Sequence, residues 1–250
     1  MIIDSHVHLP VFEDASLSMQ KIRLHADMKN NNVGKCIVIS DSELTSVIGT
    51  MDECVDLFYD DENVYVVGGI SPFFDFEIQL EKLERYLIEK KAVGIKLFPG
   101  HESFYLTDER LGPVYILAKK YDVPVLFHSG WDNSEYSAAD IVAQTAEKYS
   151  GTKIVCCHCL YPNINDCLAL TKYENLYFDL SSVADDRNTF LQIKDDITAL
   201  ITAAPDRVIF GSDYACCNQK EHIDAIMGLE LTEEISNRVF CENARLLYHI

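Results

Sequence analysis

The sequence predicts an α/β fold in which eight βα units close into a (β/α)8 barrel. Eight short apolar runs, rich in valine and isoleucine, alternate with segments whose apolar residues recur at helical spacing. Regular alternation of this kind implies a parallel sheet covered by helices, and eight units are enough to close the sheet on itself. The length of 250 residues is usual for such a barrel. A doubly wound open sheet is the alternative, but the chain has no glycine-rich first turn.

Strands and helices follow one another in a regular order, and chain breakers separate them. The predicted strands are residues 2–9, 33–40, 64–70, 92–98, 123–128, 153–159, 176–180 and 208–211. The predicted helices are residues 16–31, 45–59, 77–91, 109–121, 138–149, 163–172, 189–202, 220–227 and 233–248. Three consecutive asparagines end the first helix, Pro72 follows the third strand and Pro99 follows the fourth. Because there is no linker or low-complexity tract, residues 1–250 are predicted to form one domain.

The charge of the chain argues against two classes of partner. Its 21 lysines and arginines face 40 aspartates and glutamates, which gives a formal net charge of −19. So acidic a protein is not expected to bind nucleic acid or an anionic membrane surface. We find no signal-peptide pattern and no apolar run long enough to cross a membrane. Nine cysteines, an odd number, then indicate reduced thiols and a cytoplasmic protein.

Chemically versatile side chains stand at the predicted ends of five strands. Active-site residues of such barrels lie at the C-terminal ends of the strands, and these ends carry His6, His8, Lys96, His128, His158 and Asp213. The first two histidines are two residues apart, so both point to one face of their strand. A single histidine is more often a core residue, and a bare His-x-His pair can be incidental. Four histidines and an aspartate at one barrel mouth favour a functional site.

This set of side chains suits a metal ion. Three imidazoles and a carboxylate can hold a divalent cation and leave a position for water, and Zn²⁺ lowers the pKa of bound water to about 7. One further side chain must then move protons. The alternative is a structural zinc site at residues 156–159, which read Cys-Cys-His-Cys. Strand alternation disfavours it, because Cys157 and Cys159 are expected to face the helix layer when His158 points inward.

Together these motifs resemble the amidohydrolase superfamily of metal-dependent barrel enzymes. Within it, the chain is most similar to the amidohydrolase-2 branch, which includes aminocarboxymuconate-semialdehyde decarboxylase. The matching segments span the chain in the order typical of the family: residues 3–8, 94–99, 124–130, 158, 210–214 and 242–248. One departure is the Cys-Leu-Tyr-Pro sequence of residues 159–162, where the family often has a Gly-Gly pair.

The resemblance implies a ligand set and a reaction. It implies that His6, His8, His128 and Asp213 bind one metal ion, expected to be Zn²⁺, and that His158 handles the proton, with Asp213 able to share this role. The expected activity is hydrolysis of an amide, ester or lactone of a small molecule by metal-activated water. The alternative is nonhydrolytic decarboxylation of an unsaturated or aromatic acid. A non-catalytic metal-binding barrel is disfavoured because every one of these residues is present.

Lys96 has two alternative roles in such enzymes. A free amine would hold a carboxylate or carbonyl of the substrate, whereas a carboxylated lysine would bridge two metal ions. We favour the free amine, and with it a substrate that can carry a carboxylate. Three further candidate substrate-binding residues are His101 in the fourth loop, Trp131 just after His128, and Arg187 in the seventh loop. The alternatives are a solvated histidine for His101 and an arginine paired with neighbouring carboxylates for Arg187.

The remaining expectations are structural. Cys216 and Cys217 follow Asp213 closely, and we interpret them as buried, unreactive thiols. The resemblance gives Asn243 and Arg245 the role of fixing the last helix to the barrel. Small barrels often pair through their outer helices, so a homodimer is one expectation, although no stripe of residues indicates an interface.

Overall fold

A computed structural model describes residues 1–43, 45–131 and 134–250. Its eight strands form one parallel sheet in which each strand pairs with the next along the chain. The strands are β1 (Ile2–Val7), β2 (Val33–Ile39), β3 (Val64–Gly69), β4 (Gly94–Leu97), β5 (Val125–Phe127), β6 (Ile154–Cys157), β7 (Leu176–Asp179) and β8 (Val208–Ile209). The predicted (β/α)8 barrel, also called the TIM barrel, is confirmed.

A helix follows every strand. The helices are α1 (Leu17–Asn30), α2 (Met51–Phe58), α3 (Phe76–Ile88), α4 (Gly112–Tyr121), α5 (Ala139–Lys148), α6 (Asn165–Leu170), α7 (Arg187–Ala203), α8 (Gln219–Met227), α9 (Glu233–Asn237) and α10 (Asn243–Tyr248). A π-helical turn, Arg238–Glu242, joins the last two, which the sequence predicts as one helix. In the part of the chain that the structure describes, no helix is long and apolar enough to span a membrane.

The barrel closes between β1 and the chain that follows β8. The backbone N–H of Asp213 donates to the carbonyl of His6 at 2.9 Å. Two residues after His6, the N–H of His8 donates to the carbonyl of Tyr214 at 2.9 Å. These bonds bring the first strand beside the last, so that side chains more than 200 positions apart in sequence become neighbours.

The core has an outer layer between strands and helices and an inner layer inside the barrel. Along β2, Ile37 and Ile39 belong to the inner cluster, whereas Cys36 and Val38 belong to the outer one, as the alternation of a strand requires. The closing helix α10 contributes to the inner cluster through residues such as Leu247. Apolar side chains therefore make up most of the described inner layer of the barrel.

The second helix begins six residues later than predicted. Its N-cap is Thr50, whose hydroxyl accepts a hydrogen bond from the N–H of Glu53, while the Glu53 carboxylate accepts from the N–H of Thr50. This reciprocal capping box satisfies two amides that the helix itself cannot pair. The helix therefore starts at Met51, and the preceding residues belong to the loop that follows β2.

The sixth strand ends two residues earlier than predicted, and this changes the direction of its cysteines. After Cys157, the backbone of His158 takes a φ of 62° and begins a tight turn. Cys157 lies in the inner cluster, whereas Cys156 and Cys159 lie in the outer core. The prediction that Cys157 faces the helices is therefore wrong, because strand alternation stops at the turn. The same prediction is confirmed for Cys159.

Asn243 connects the last helix to β8. Its side-chain amide donates to the backbone carbonyls of Pro205 at 2.8 Å and Val208 at 2.7 Å, and the residue is 4% exposed. Arg245, by contrast, lies at the surface, where its guanidinium pairs with Glu242 of the same segment. The anchoring contacts of the last helix therefore come from Asn243, and Arg245 supplies none of them.

We expect Asn243→Ala to lower the free energy of unfolding by about 2–3 kcal/mol, because it leaves two buried carbonyls without donors. Arg245→Ala is the matched control, and it should change that free energy by no more than about 0.5 kcal/mol, as is usual for exposed positions. The midpoints of urea unfolding measure both effects. Equal losses in the two variants would contradict this assignment.

Candidate metal centre and active site

Three predicted metal ligands meet at the mouth of the barrel. The Oδ1 atom of Asp213 lies 3.4 Å from Nε2 of His8 and 3.6 Å from Nε2 of His6. Among the described residues, neither Nε2 of His6 nor Oδ1 of Asp213 has a hydrogen-bond partner, although both atoms are buried. Buried polar atoms are rarely left unpaired, so these two adjacent atoms are candidates for binding a ligand. A divalent cation fits their chemistry, since imidazole nitrogen and carboxylate oxygen are common zinc donors.

The other polar atom of each of these side chains is held by the protein. Nδ1 of His6 lies 2.5 Å from Oδ2 of Asp179, and Nδ1 of His8 donates to the carbonyl of Ile39 at 3.1 Å. Oδ2 of Asp213 accepts a hydrogen bond from the hydroxyl of Ser182 at 2.5 Å. Hydrogen bonds of this kind orient a ligand and fix which imidazole nitrogen is free to bind a metal.

The protonation states at the site also suit a cation. Burial lowers the pKa of both His6 and His8, and the nearby Lys96 lowers both further, which keeps the imidazoles neutral. Burial alone would raise the pKa of Asp213, but its interactions with the two histidines and the Ser182 hydroxyl bring that pKa below its ordinary value. Neutral imidazoles and an ionised carboxylate are the forms that bind metal ions.

His128 and His158 lie beside this group. His128 lines the same pocket, with its ring centroid 4.9 Å from that of His158, and burial lowers its pKa to about 2. Its ring nitrogens, however, are not among the ligand atoms that cluster within 4.8 Å, a group formed by His6, His8 and Asp213. The structure thus brings three of the four expected ligands into immediate contact and places the fourth at the edge of the group.

Lys96 forms part of the floor of the pocket. Its side chain is 1% exposed, and its Nζ atom donates to the sulfur of Cys157 at 3.2 Å and lies 5.3 Å from the ring centroid of Phe98. A thiol is a weak acceptor, so the three N–H donors of a lysine ammonium are poorly satisfied here. A buried amine in this state has capacity to bind an anionic or carbonyl oxygen.

The pocket has a volume of about 590 Å³ and includes two of the three further candidate residues. The ring of His101 lies 4.2 Å from that of His128, and Trp131 lies 5.0 Å from His158, measured between ring centroids. Arg187 does not reach the pocket. It is an exposed residue that begins α7, where the capping interaction of Asp186 with Thr189 sets the helix start and leaves Arg187 on the surface.

The residues that sequence reasoning missed beside the candidate ligands and His158 lie at the end of β7 and just after it. Asp179 contacts His6, Ser181 contacts His158, and Ser182 contacts Asp213. The seventh strand is predicted correctly, but the sequence analysis assigns no site residue to its end. Asking which polar residues follow every strand, rather than looking for histidines, would have identified this segment.

The cysteines near the site differ from expectation. Cys216 is exposed and Cys217 is half-buried, so the prediction of buried thiols is wrong for Cys216. Partial burial nonetheless raises the pKa of Cys216 to about 11 and that of Cys217 to about 12, with Asp213 contributing to both. Thiols with such pKa values carry little thiolate at neutral pH and are poor nucleophiles.

A comparison with protein families identifies the chain. A family model described as amidohydrolase, Amidohydro_2, matches residues 42–250. The chain belongs to the amidohydrolase family. It is accordingly an enzyme, as the sequence predicts. No curated protein is similar enough in sequence to be matched to this amidohydrolase.

Several solved structures share its fold. An uncharacterised TIM-barrel protein from Bordetella bronchiseptica superposes with a TM-score of 0.79 at 17% identity, over 98% of this chain and 97% of that one. A probable 2-pyrone-4,6-dicarboxylic acid hydrolase from Acinetobacter baumannii gives 0.70 at 11% identity, with 100% and 99% covered. A 5-carboxyvanillate decarboxylase from Novosphingobium aromaticivorans, complexed with manganese, gives 0.67 at 16% identity, with 95% and 85% covered. At these identities the likeness concerns the fold alone.

We expect Cys216 to be the one thiol that a chromogenic aromatic disulfide modifies in the native protein, because it is exposed. The reaction should be slower than that of free cysteine, because the pKa of Cys216 is raised. All nine cysteines should react in denaturant. Absorbance of the released thiolate measures both, and Cys216→Ser should remove the native signal. Rapid native modification that survives this substitution would show that another thiol is reactive.

Proposed function

We propose that this amidohydrolase is a metal-dependent hydrolase that cleaves an amide, ester or lactone of a small molecule. One divalent ion, which we expect to be Zn²⁺, would be held by His6, His8, His128 and Asp213. The observation that carries the proposal is the pair of buried, unpartnered atoms on His6 and Asp213. Such atoms are costly to bury unless a ligand binds them.

Residues of the chain would move the proton and orient the substrate. The ion, when bound, polarises a carbonyl oxygen and makes water a better nucleophile near neutral pH. His158 is buried, and this burial lowers its pKa, so it is a neutral imidazole at neutral pH and able to accept a proton. It would pass this proton to the leaving group, and Asp213 can share that role. The walls of the pocket would orient the substrate.

The charges of the pocket support a substrate with a single anionic or carbonyl group at its inner end. Among the lining residues that the structure describes, Lys96 is the only lysine or arginine, and it lies on the floor. Carboxylates also line the pocket, namely those of Asp41, Glu43, Glu102 and Asp185. A second anionic group placed toward them would be repelled, so we propose that the remainder of the substrate is neutral or cationic.

Aromatic rings support a planar group next to the reacting carbon. Trp131 is 41% exposed, and Phe98 lines the same pocket with its ring centroid 5.3 Å from Nζ of Lys96. His101, in the loop after β4, lines the pocket with its ring in edge-to-face contact with that of His128. Flat apolar surfaces with a few polar groups are typical of sites for small cyclic ligands.

The second candidate function is nonhydrolytic decarboxylation of an unsaturated or aromatic acid. One observation favours it: a protein of the same fold is a 5-carboxyvanillate decarboxylase complexed with manganese and 4-hydroxy-3-methoxy-5-nitrobenzoic acid. Lys96 and the aromatic rings would suit such an acid as well as they suit a lactone. The same ligands serve both reactions, so the product has to distinguish them. The free state of all nine cysteines supports a cytoplasmic location for either enzyme.

We expect elemental analysis of the purified enzyme to give about one zinc per chain, because the unpartnered atoms of His6 and Asp213 form one group among the described residues of the barrel mouth. His6→Ala should remove most of the metal. Loss of a residue that only orients a ligand typically lowers metal affinity about 10-fold or more, and His6 is itself a proposed ligand. His101→Ala is the matched control within the pocket and should retain it. Lys96→Met should also retain it. About two metals per chain, reduced to one or none by Lys96→Met, would instead support a carboxylated lysine.

We expect turnover on a panel of lactones, esters, amides and aromatic acids to incorporate ¹⁸O from labelled water into a carboxylate product without release of CO₂. Lys96→Met should raise KM for an anionic substrate about 10-fold or more, because it removes a charge-assisted hydrogen bond. It should leave KM for a neutral analogue of the same size nearly unchanged. Release of CO₂ without ¹⁸O incorporation would establish the decarboxylase instead.

A further inference from the structure

We infer that a hydrogen-bond relay connects the end of β7 to the turn after β6. In it the Ser181 hydroxyl joins His158 to Asp179 and thereby fixes which nitrogen of His158 faces the substrate. The inference rests on the proposed function in one respect, the role of His158 as the group that moves protons. In this relay Ser181 is a positioning residue, because it acts through His158 and does not line the pocket itself.

The relay is a continuous chain of short contacts between buried atoms. The Ser181 hydroxyl oxygen lies 2.8 Å from Nδ1 of His158 and 3.0 Å from Oδ2 of Asp179. The same Oδ2 atom lies 2.5 Å from Nδ1 of His6. The carbonyl of Ser181 is a second neighbour of the His158 nitrogen, at 3.3 Å. Asp179 thus contacts the proposed metal ligand His6 directly, and it contacts His158 indirectly through the Ser181 hydroxyl.

The chemistry of the acceptors decides where the protons are. A carbonyl oxygen only accepts, so Nδ1 of His158 must be the donor to the Ser181 backbone, and its proton is shared with the hydroxyl oxygen. An ionised carboxylate also only accepts, so the Ser181 hydroxyl donates to Asp179. His6 donates its own Nδ1–H to the same carboxylate. Each proton of the relay therefore has a defined position: His158 donates to Ser181, while the Ser181 hydroxyl and His6 donate to Asp179.

This arrangement leaves Nε2 of His158 as an unprotonated acceptor. His158 lines the pocket, next to His6 and His128. In this tautomer the ring can take a proton from a group in the pocket but has none to give until it has done so. When it becomes positively charged, the negative charge of Asp179 lies one hydroxyl away. A carboxylate that orients an imidazole and stabilises its charged form is a known arrangement for a histidine base, here with a serine inserted between them.

The backbone around His158 depends on the same segment. His158, Cys159 and Leu160 have φ values of 62°, 49° and 58°, which place three successive residues in the left-handed region. Residues other than glycine and asparagine adopt this region only when their surroundings hold them there. The thiol of Cys159 donates to the carbonyl of Asp179 at 3.2 Å. The turn that carries His158 is thus attached to β7 through both backbone and side chain.

Two substitutions separate the branches of the relay. Ser181→Ala removes the link to His158 but leaves the contact of His6 with Asp179, so it should change catalysis without changing metal content. Asp179→Asn disturbs the contacts of both His158 and His6, so it should reduce both the catalytic rate and the metal content. Ser181→Thr keeps a hydroxyl and should restore the behaviour of the native residue.

The decisive measurement is the tautomer of His158 in the zinc-loaded enzyme. Long-range ¹H–¹⁵N NMR of protein labelled at histidine nitrogen distinguishes the two tautomers, and His158→Gln assigns the resonance. We expect the Nδ1–H tautomer in the native protein and in Ser181→Thr. In Ser181→Ala the 2.8 Å contact with the hydroxyl is lost and only the longer 3.3 Å contact with the backbone carbonyl remains, so we expect the Nε2–H tautomer to appear beside the Nδ1–H form. Ser40→Ala is a matched control, because this buried serine after β2 donates to the carbonyl of Val67, and it should not change the tautomer.

Kinetics with a substrate identified by the activity panel complete the test. We expect Ser181→Ala to lower kcat about 10- to 100-fold with little change in KM or zinc content, as is typical when an outer orienting group is lost. An Nε2–H tautomer in the native protein, or an unchanged tautomer in Ser181→Ala, would overturn the relay. The tautomer does not depend on turnover, so the relay can hold even if the proposed hydrolase activity fails, and the two failures remain distinguishable.

Discussion

The closing of the barrel between its first and last strands is the constraint on which the site depends. The bond from the amide of Asp213 to the carbonyl of His6 joins the two ends of the sheet, and these same two residues carry the unpartnered donor atoms. Asp4 strengthens this junction, since its carboxylate accepts from the backbone N–H and hydroxyl of Ser212 and from the side chain of Gln219, at 2.6–2.8 Å. The candidate cation site therefore depends on closure of the barrel.

The candidate site contains both polar groups that are hydrogen-bonded to the protein and buried polar atoms that have no partner among the described residues. Asp4 and Asp179 are fully buried carboxylates, and burial raises the pKa of each to about 6, but both accept several hydrogen bonds. His6 and Asp213 each have one side-chain atom bonded to the protein and one atom with no partner among the residues that the structure describes. The bonded atoms set the orientation of the side chains, while the free atoms provide the binding capacity. An enzyme site of this kind is prepared for its ligand before the ligand arrives.

The end of β7 shows how one short segment can organise residues from several strands. Asp179, Ser181 and Ser182 contact side chains that come from β1, from the turn after β6 and from the chain after β8. Neighbouring strands of a closed parallel sheet all end at the same mouth, so a strand beside the last one can reach both sides of the junction. The proposed metal ligands His6 and Asp213 and the proposed base His158 thus share a common support.

The sequence alone determined the fold class and most of the residues at the mouth. Its eight βα alternations predicted a parallel barrel over the open-sheet alternative, and the rule that functional groups follow the strands indicated the side chains of His6, His8, His158, Asp213 and Lys96. Local patterns also set most helix ends to within a few residues, because caps and breakers act on neighbouring positions.

Only the tertiary structure decided which of these groups meet and what supports them. The left-handed turn at His158 reversed the expected direction of Cys157, because strand alternation holds only while the strand continues. The surface position of Arg187 and the contacts of Ser181 depend equally on distances across the barrel, which periodicity along the chain does not encode. The sequence specifies which chemical groups are available at each strand end, and closure of the sheet determines their distances and hence their partners.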